Sequence, residues 1–381
     1  MKYYIIAGEA SGDLHGANLM RAIIAKDSDA HIRFWGGDRM ASVSGAIIEQ
    51  VRHIRDLAYM GFVEVVAHLG TVTGNIRFCK RDIAEFAPDV VVFIDYPGFN
   101  LKIAKFVHGK GIKNVYYISP QVWAWKKGRL RSMKRDLDRL CYILPTERKF
   151  YAENVMPQAK YVGHPLLDEV SLYRTEGARG NLLIEKDDRP IIAILPGSRK
   201  HELSRMLPVM LAVAARHKEY RFVVAAMSLI GKDYYSGYLP KDADNVSLFF
   251  DRTYDLLATS YAALVCSGTA TLETALFKVP QVVCYQCNKV SAAIARLLIG
   301  DKIKYISLVN LIADKPVVCE LIQSDFNVDR LDKEFEKIID KGNREIMLAA
   351  YDNVIDELGG TGASLRTAEE CIKVAKGENN R

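Results

Sequence analysis

The chain has 381 residues, a formal net charge of +6, and 49% hydrophobic and 26% charged side chains. That is the composition of an ordinary globular protein, long enough for two domains at roughly 100–200 residues each. It excludes a disordered or collagen-like chain, and with no run of about 18 apolar residues it also excludes a bilayer-spanning helix. The mild positive charge suits an anionic substrate or membrane surface and does not by itself imply nucleic acid. Met1-Lys2 leads straight into the apolar run Tyr3–Ala7, so no secretory leader is expected. The seven cysteines are odd in number, irregularly spaced and mostly set in apolar stretches. They read as reduced thiols of a cytoplasmic protein. Cys284 and Cys287 have metal or redox spacing, but no second pair accompanies them.

In chain order, short apolar runs alternate with helical patterns. Tyr3–Ala7, Val90–Ile94, Val115–Ile118 and Cys141–Leu144 read as buried parallel strands. His15–Lys26, Phe62–Cys79, Asn100–Lys110 and Lys126–Leu137 read as the helices between them. From about Asp168 to Arg189 the chain turns polar and glycine-containing, which predicts an inter-domain connection. A second series follows: strand Ile191–Leu195, a helix near Glu202–His217, then strands Arg221–Ala226, Ser247–Phe250, Ala262–Cys266 and Gln281–Tyr285. The tail Asp329–Lys376 is mostly helical by pattern. The expectation is an α/β protein of two Rossmann-like parallel-sheet domains facing a cleft, residues 1–167 and 168–349.

Several loops after strands carry chemistry-bearing residues. In Gly8-Glu9-Ala10-Ser11-Gly12-Asp13, small residues allow a ligand close to the backbone at a helix start. Glu9 and Asp13 suit sugar hydroxyls better than phosphates. The plain alternative is a tight turn capped by Ser11 or Asp13. Asp95 closes the strand Val90–Ile94 among apolar neighbours that raise a carboxyl pKa toward general-base range. Its alternative is a turn residue ahead of Pro97, with Asn100 better placed for the cap. Pro196-Gly197-Ser198-Arg199 offers amides and a planar guanidinium for a diphosphate. Ser267-Gly268-Thr269 repeats the strand-to-helix arrangement, and Glu273, one turn on, has the reach for ribose hydroxyls. Two phosphate-type loops in one domain argue for a nucleotide diphosphate without naming the base. Trp123 and Trp125 precede six basic residues between Lys126 and Arg135 and suit an acidic amphiphile at an interface, with nucleic acid as the rival. Phe62, Val65, Val66 and Leu69 belong to a dense apolar helical stretch, read either as a membrane or acyl contact or as core. Asp-x-Asp triplets at Asp27, Asp136 and Asp242 follow no clear buried strand, so no metal site is expected.

Together these segments resemble the lipid-A-disaccharide synthase family of inverting GT-B glycosyltransferases. The resemblance rests on seven segments in order: 7–13, 60–65, 94–100, 119–125, 195–199, 267–273 and 305–311. It covers about residues 3 to 325. It implies a GT-B fold with a C-terminal helix, about 350–381, returning to the first domain. It also implies transfer from UDP-2,3-diacylglucosamine to 2,3-diacylglucosamine 1-phosphate, giving a β-1,6 disaccharide and UDP, with no cofactor and no metal. By that resemblance Asp95 is the general base, Arg199 grips the diphosphate, Glu273 contacts the nucleotide and Asn310 lies near the donor. The first domain then takes the acceptor and the second the donor. Gly98 stands where some relatives have a second acid, which leaves Asp95 as the one carboxylate of its loop. The implied location is the cytoplasmic face of the inner membrane, with peripheral lipid contact and no nucleic-acid partner; oligomeric state stays open. The alternatives are another GT-B UDP-sugar enzyme, such as an epimerase or a transferase with a different acceptor, and a non-catalytic nucleotide or nucleic-acid binder.

Overall fold

The computed structural model describes residues 1–57, 69–120, 122, 128–175, 188–240, 244–288 and 304–378. They form two compact units: Met1–Asp168 with Gly360–Arg381, and Glu169–Gly359.

The first unit holds β1 (Lys2–Ala7), α1 (Ala10–Lys26), β2 (His31–Gly36), α2 (Asp38–Ala41), β3 (Ile47–His53), α3 (Leu69–Phe86) and β4 (Val90–Ile94). It continues with α4 (Pro97–Gly109), β5 (Lys113–Tyr117), α5 (Arg129–Asp136), β6 (Arg139–Tyr142), α6 (Glu147–Glu153) and β7 (Ala159–Tyr161). Helix α7 (Pro165–Thr175) leads across the boundary. The seven strands pair in the order β3-β2-β1-β4-β5-β6-β7, every pair parallel.

The second unit holds β8 (Ile191–Leu195), α8 (Lys200–Arg216), β9 (Arg221–Ala226), α9 (Lys232–Ser236), β10 (Val246–Phe250), α10 (Thr253–Thr259) and β11 (Ala262–Cys266). There follow α11 (Thr269–Leu276), β12 (Gln281–Tyr285), α12 (Leu308–Ala313), β13 (Cys319–Ile322), α13 (Val328–Ile339) and α14 (Lys341–Leu358). Its sheet runs β10-β9-β8-β11-β12-β13, again parallel.

Parallel strands covered on both faces can be apolar at every position, because successive side chains enter different cores. Tyr3, Ile5 and Ala7 of β1 pack with α1 residues such as Met20 and Ile23. Tyr4 and Ile6 enter the opposite core with Ile83 and Ile103. In β8, Ile192 and Ile194 face one core, Ala193 and Leu195 the other. Each such large aliphatic or aromatic side chain contributes about 1.5–3 kcal/mol by leaving water.

Strands β2, β3, β7 and β13 escape the apolar-run criterion because their polar residues are matched across the tertiary structure. Arg33 of β2 pairs with Glu49 of β3 at 2.6 Å and with Asp82 of α3 at 3.1 Å. Part of the expected connection is helical instead of loop: α7 runs to Thr175, and residues 176–187 lie outside the described residues.

Helix α14 belongs to the second unit, so the return to the first begins at Gly360 and not near residue 350. Contacts that hold α14 there include Gln281 Nε2 donating to Tyr351 Oη at 3.3 Å, the Lys278–Asp352 pair, and Arg344 donating to the Tyr261 carbonyl. Helix α15 (Ala363–Ala375) then buries Ala368, Cys371 and Val374 in the core of α1, β5 and β6. Its buried Glu370 meets Arg139 at 2.9 Å and Lys160 at 2.6 Å. The Asp168 carboxylate accepts from the Gly362 and Ser364 amides at the start of the same helix.

Candidate functional site

In open parallel sheets, ligands sit at the carboxyl ends of the strands where the strand order reverses. In the first unit that point lies between β1 and β4, in the second between β8 and β11. All four loops there carry sequence-predicted site residues: Glu9–Asp13 after β1, Asp95 after β4, Gly197–Arg199 after β8 and Ser267–Glu273 after β11.

Register sets the first rim. Ala7 pairs with Ile94, so Gly8-Glu9 and Asp95-Tyr96 leave the sheet side by side. Asp95 and Tyr96 both have left-handed backbone, φ 45° and 51°, an arrangement that L residues adopt at a cost of order 1–3 kcal/mol. The surroundings hold it. The Asp95 amide donates to the Tyr117 carbonyl at 3.0 Å. The Asp95 carbonyl accepts from Tyr116 Oη at 2.5 Å and from Asn100 Nδ2 at 2.8 Å. The Tyr96 ring stacks on Phe99 with centroids 5.5 Å apart. It also lies over Gly8, where an added Cβ would sit 2.4 Å from the ring. Burial, followed by the charge of Glu9, pushes the Asp95 carboxyl up to about 6. The same two causes push the Tyr96 phenol up to about 12. Glu9 and Ser11 are exposed.

Two first-rim residues have other duties. Asp13 is 4% exposed, and its carboxylate accepts from the amides of Gly37 (2.6 Å), Arg39 (3.1 Å) and Met40 (3.1 Å). It caps α2, which has no side-chain cap of its own, so most of its accepting capacity is used within the fold. Gly12 is buried, and an added Cβ would lie 3.3 Å from Ala7 Cβ. It lets the first turn of α1 lie on β1. Neither Ser11 nor Asp13 caps α1, whose N-cap is Glu9. Asn100 lies inside α4, which starts at Pro97.

In the second unit, Gly197 has φ 106°, and the Glu202 carboxylate folds back over it. Glu202 Oε2 accepts from the Ser198 amide at 2.9 Å and the Arg199 amide at 3.2 Å. The amides expected to meet a phosphate are thus engaged by a carboxylate, a capping box at the start of α8. The Arg199 side chain is 61% exposed, with a 3.4 Å contact to Glu202 Oε1. After β11, the Ser267 amide donates to the Cys284 carbonyl (2.9 Å), and its hydroxyl to the Ile306 carbonyl (3.0 Å). Gly268 and Thr269 are exposed at the start of α11. Glu273 is half-buried one turn further on, and its Oε1 accepts from Tyr254 Oη at 2.8 Å.

Asn310 is 1% exposed and saturated. Its Nδ2 donates to the Val318 carbonyl and Glu320 Oε1, both at 2.9 Å. Its Oδ1 accepts from the Val317 amide at 2.8 Å and the Val318 amide at 2.9 Å. An amide side chain has no further capacity, so the expected donor contact by Asn310 is corrected to a supporting one. Glu320, which the sequence reading missed, also accepts from the Ile306 and Ser307 amides and the Ser307 hydroxyl. Together Asn310 and Glu320 hold the 306–308 turn, which in turn receives Ser267 and donates the Leu308 amide to Thr271 Oγ1.

A family model described as lipid-A-disaccharide synthetase matches residues 3–373. The chain belongs to that family. It is 37% identical to the lipid-A-disaccharide synthase of Syntrophus aciditrophicus over 98% of this chain and 97% of that protein. It is 35% identical to that of Myxococcus xanthus, over 97% and 96%. Among solved structures it resembles UDP-GlcNAc 2-epimerase from Neisseria meningitidis bound to UDP-GlcNAc, with TM-score 0.69 and 13% identity over 98% of this chain and 100% of that one. It also resembles the calicheamicin glycosyltransferase CalG4, with TM-score 0.59 and 15% identity over 100% and 99%. At these identities the structural likenesses establish the fold, two Rossmann-like units of the GT-B kind.

Other residues singled out along the sequence fall elsewhere. Phe62, Val65, Val66, Trp123 and Trp125, and the side chain of Leu69, lie outside the described residues. Among the described residues no helix is long and apolar enough to cross a membrane. Asp27 accepts from Tyr3 Oη, and Asp138 from the Asn114 amide, so two of the Asp-x-Asp triplets brace the fold. Cys284 is buried, and Cys287 Sγ accepts from Gln323 Nε2 at 2.9 Å.

Proposed function

We propose that this glycosyltransferase joins UDP-2,3-diacylglucosamine to 2,3-diacylglucosamine 1-phosphate, forming a β-1,6-linked disaccharide 1-phosphate and UDP with inversion. The observation that carries the mechanism is Asp95, a carboxylate at the strand-order reversal with its pKa raised to about 6. A base of that strength is mostly ionised at neutral pH and still basic enough to take a proton in the transition state. Asp95 accepts the proton of the acceptor 6-hydroxyl while that oxygen attacks C1 of the donor sugar from the side opposite UDP. The C1–O6 bond forms, the C1–O bond to the β-phosphate breaks, and its electron pair leaves with UDP. Arg199 and the first-turn amides of α11, beginning at Gly268 and Thr269, stabilise that departing charge. Glu273 takes the ribose hydroxyls. On the acceptor side Glu9 and Ser11 remain as exposed polar contacts, and Asp13 supports them through α2.

Both substrates carry acyl chains, which favours work at the cytoplasmic face of the inner membrane with peripheral lipid contact. Mass spectrometry of the products from the purified full chain with both acyl-sugars tests the reading. The expected product is a disaccharide 1-phosphate that forms when both substrates are present. Conversion of the UDP-sugar alone, without the acyl-sugar phosphate, refutes it in favour of an epimerase or hydrolase.

A further inference from the structure

Glu273 has to present an ionised carboxylate in one orientation, yet a glutamate side chain has three rotatable bonds. Ordering such a chain on binding costs side-chain conformational entropy. A group that fixes the rotamer beforehand removes that cost. Tyr254, on α10, reaches α11 to donate its hydroxyl to Glu273 Oε1 at 2.8 Å. A neutral donor leaves the negative charge on the carboxylate, and a hydrogen bond to a charged group is among the stronger kinds.

The hydroxyl is itself held in place. The Tyr254 ring meets Tyr173 edge-on, with centroids 5.7 Å apart at 84°, and packs on Phe277 at 5.1 Å. Tyr173 and Phe277 touch each other at 5.5 Å, closing a three-ring cluster. Tyr173 Oη donates to Asp255 Oδ1 at 2.7 Å, and Arg252 Nε to Asp255 Oδ2 at 2.6 Å. Tyr173, Tyr254 and Phe277, on α7, α10 and at the end of α11, all lie within the second unit. They fix where the phenol oxygen stands independently of any nucleotide.

We propose that Tyr254 is a positioning residue for the donor nucleotide, its hydroxyl holding the Glu273 carboxylate in the orientation that receives the ribose hydroxyls of a uridine diphosphate. This rests on the assignment of Glu273 to the ribose. It is distinct from a staple between α10 and α11, because a staple has no reason to discriminate between nucleotides that differ in their ribose hydroxyls.

The test is calorimetric titration of the full chain with UDP and with 2′,3′-dideoxy-UDP. Tyr254→Phe keeps the ring cluster and deletes the hydroxyl. It is expected to weaken UDP about tenfold and to leave the affinity for the dideoxy nucleotide at the wild-type value. In a Glu273→Ala background the same change is expected to have no further effect. Equal weakening of both nucleotides, an additive loss in the double variant, or unchanged UDP affinity in Tyr254→Phe overturns the proposal. If Glu273→Ala weakens UDP while Tyr254→Phe does not, Tyr254 alone is wrong. If Glu273→Ala itself leaves UDP affinity unchanged, the ribose assignment falls and this inference with it.

Discussion

Replacing Asp95 by Asn separates its catalytic use from its cost to the fold. Asn tolerates left-handed backbone better than Ala does, so the φ of 45° at this position stays accessible and the loop is preserved. The substitution removes a carboxyl whose pKa rises from 3.8 to about 6 on folding, first through burial and then through Glu9. The native state therefore holds the Asp95 proton more tightly than the unfolded chain does. Stability falls as pH rises from about 4 through 6 and is constant above that. A shift of about two units corresponds to about 3 kcal/mol of native-state penalty at neutral pH, an upper bound. For a unit of this size each kcal/mol moves the transition by about 2–4 °C. Asp95→Asn is accordingly expected to raise the unfolding temperature of the first unit by up to about 10 °C at pH 8 and hardly at pH 4. The same variant is expected to lose transfer activity by about a hundredfold or more. In the wild type, kcat/KM should fall on the acid side with a midpoint near pH 6. Scanning calorimetry at the two pH values and initial rates from pH 5 to 9 read these outcomes. A variant less stable than wild type at pH 8, or a wild-type profile with no acid limb, refutes the account of Asp95.

Two further substitutions probe the second unit. Arg199→Ala is expected to weaken UDP binding about tenfold or more in calorimetry while leaving thermal stability nearly unchanged, since the side chain is exposed and its contact to Glu202 is long. Lysine at that position restores charge without the planar fork and should recover the affinity only in part. Asn310→Ala leaves the Val317 and Val318 amides without their acceptor and should destabilise the second unit by about 2–4 kcal/mol in denaturant unfolding. Full stability with a raised donor KM would instead return Asn310 to direct ligand contact.

Much of the fold was legible along the chain. Val90–Ile94, Ile191–Leu195, Arg221–Ala226, Ala262–Cys266 and Gln281–Tyr285 are strands at the residues the apolar runs mark. Strands buried on both faces need an unbroken apolar run, and that requirement is local. Strand β2 was not legible, because Arg33 is at home in a sheet once Glu49 and Asp82 stand beside it, from 16 and 49 residues away. The edge strands β3, β7 and β13 need apolar residues on fewer positions and so leave a weaker pattern.

The same division runs through the site. Residue type and place after a strand put Asp95, Arg199 and Glu273 at the carboxyl ends of central strands, because ligand rims in α/β sheets follow from strand direction. The sequence could not tell which polar residues of those loops keep their hydrogen-bonding capacity for a ligand. Asp13 accepts from three backbone amides and the Asn310 oxygen from two, and the amides of Ser198 and Arg199 are engaged by Glu202. Nor could it show that Glu9 and Asp95, 86 positions apart, are neighbours whose charges act on one pKa. The chain itself determined the kinds of group present and the order of the strands' runs. Tertiary structure decided which groups meet, because hydrogen bonds and desolvation depend on distance in space and burial, and neither is written in sequence separation.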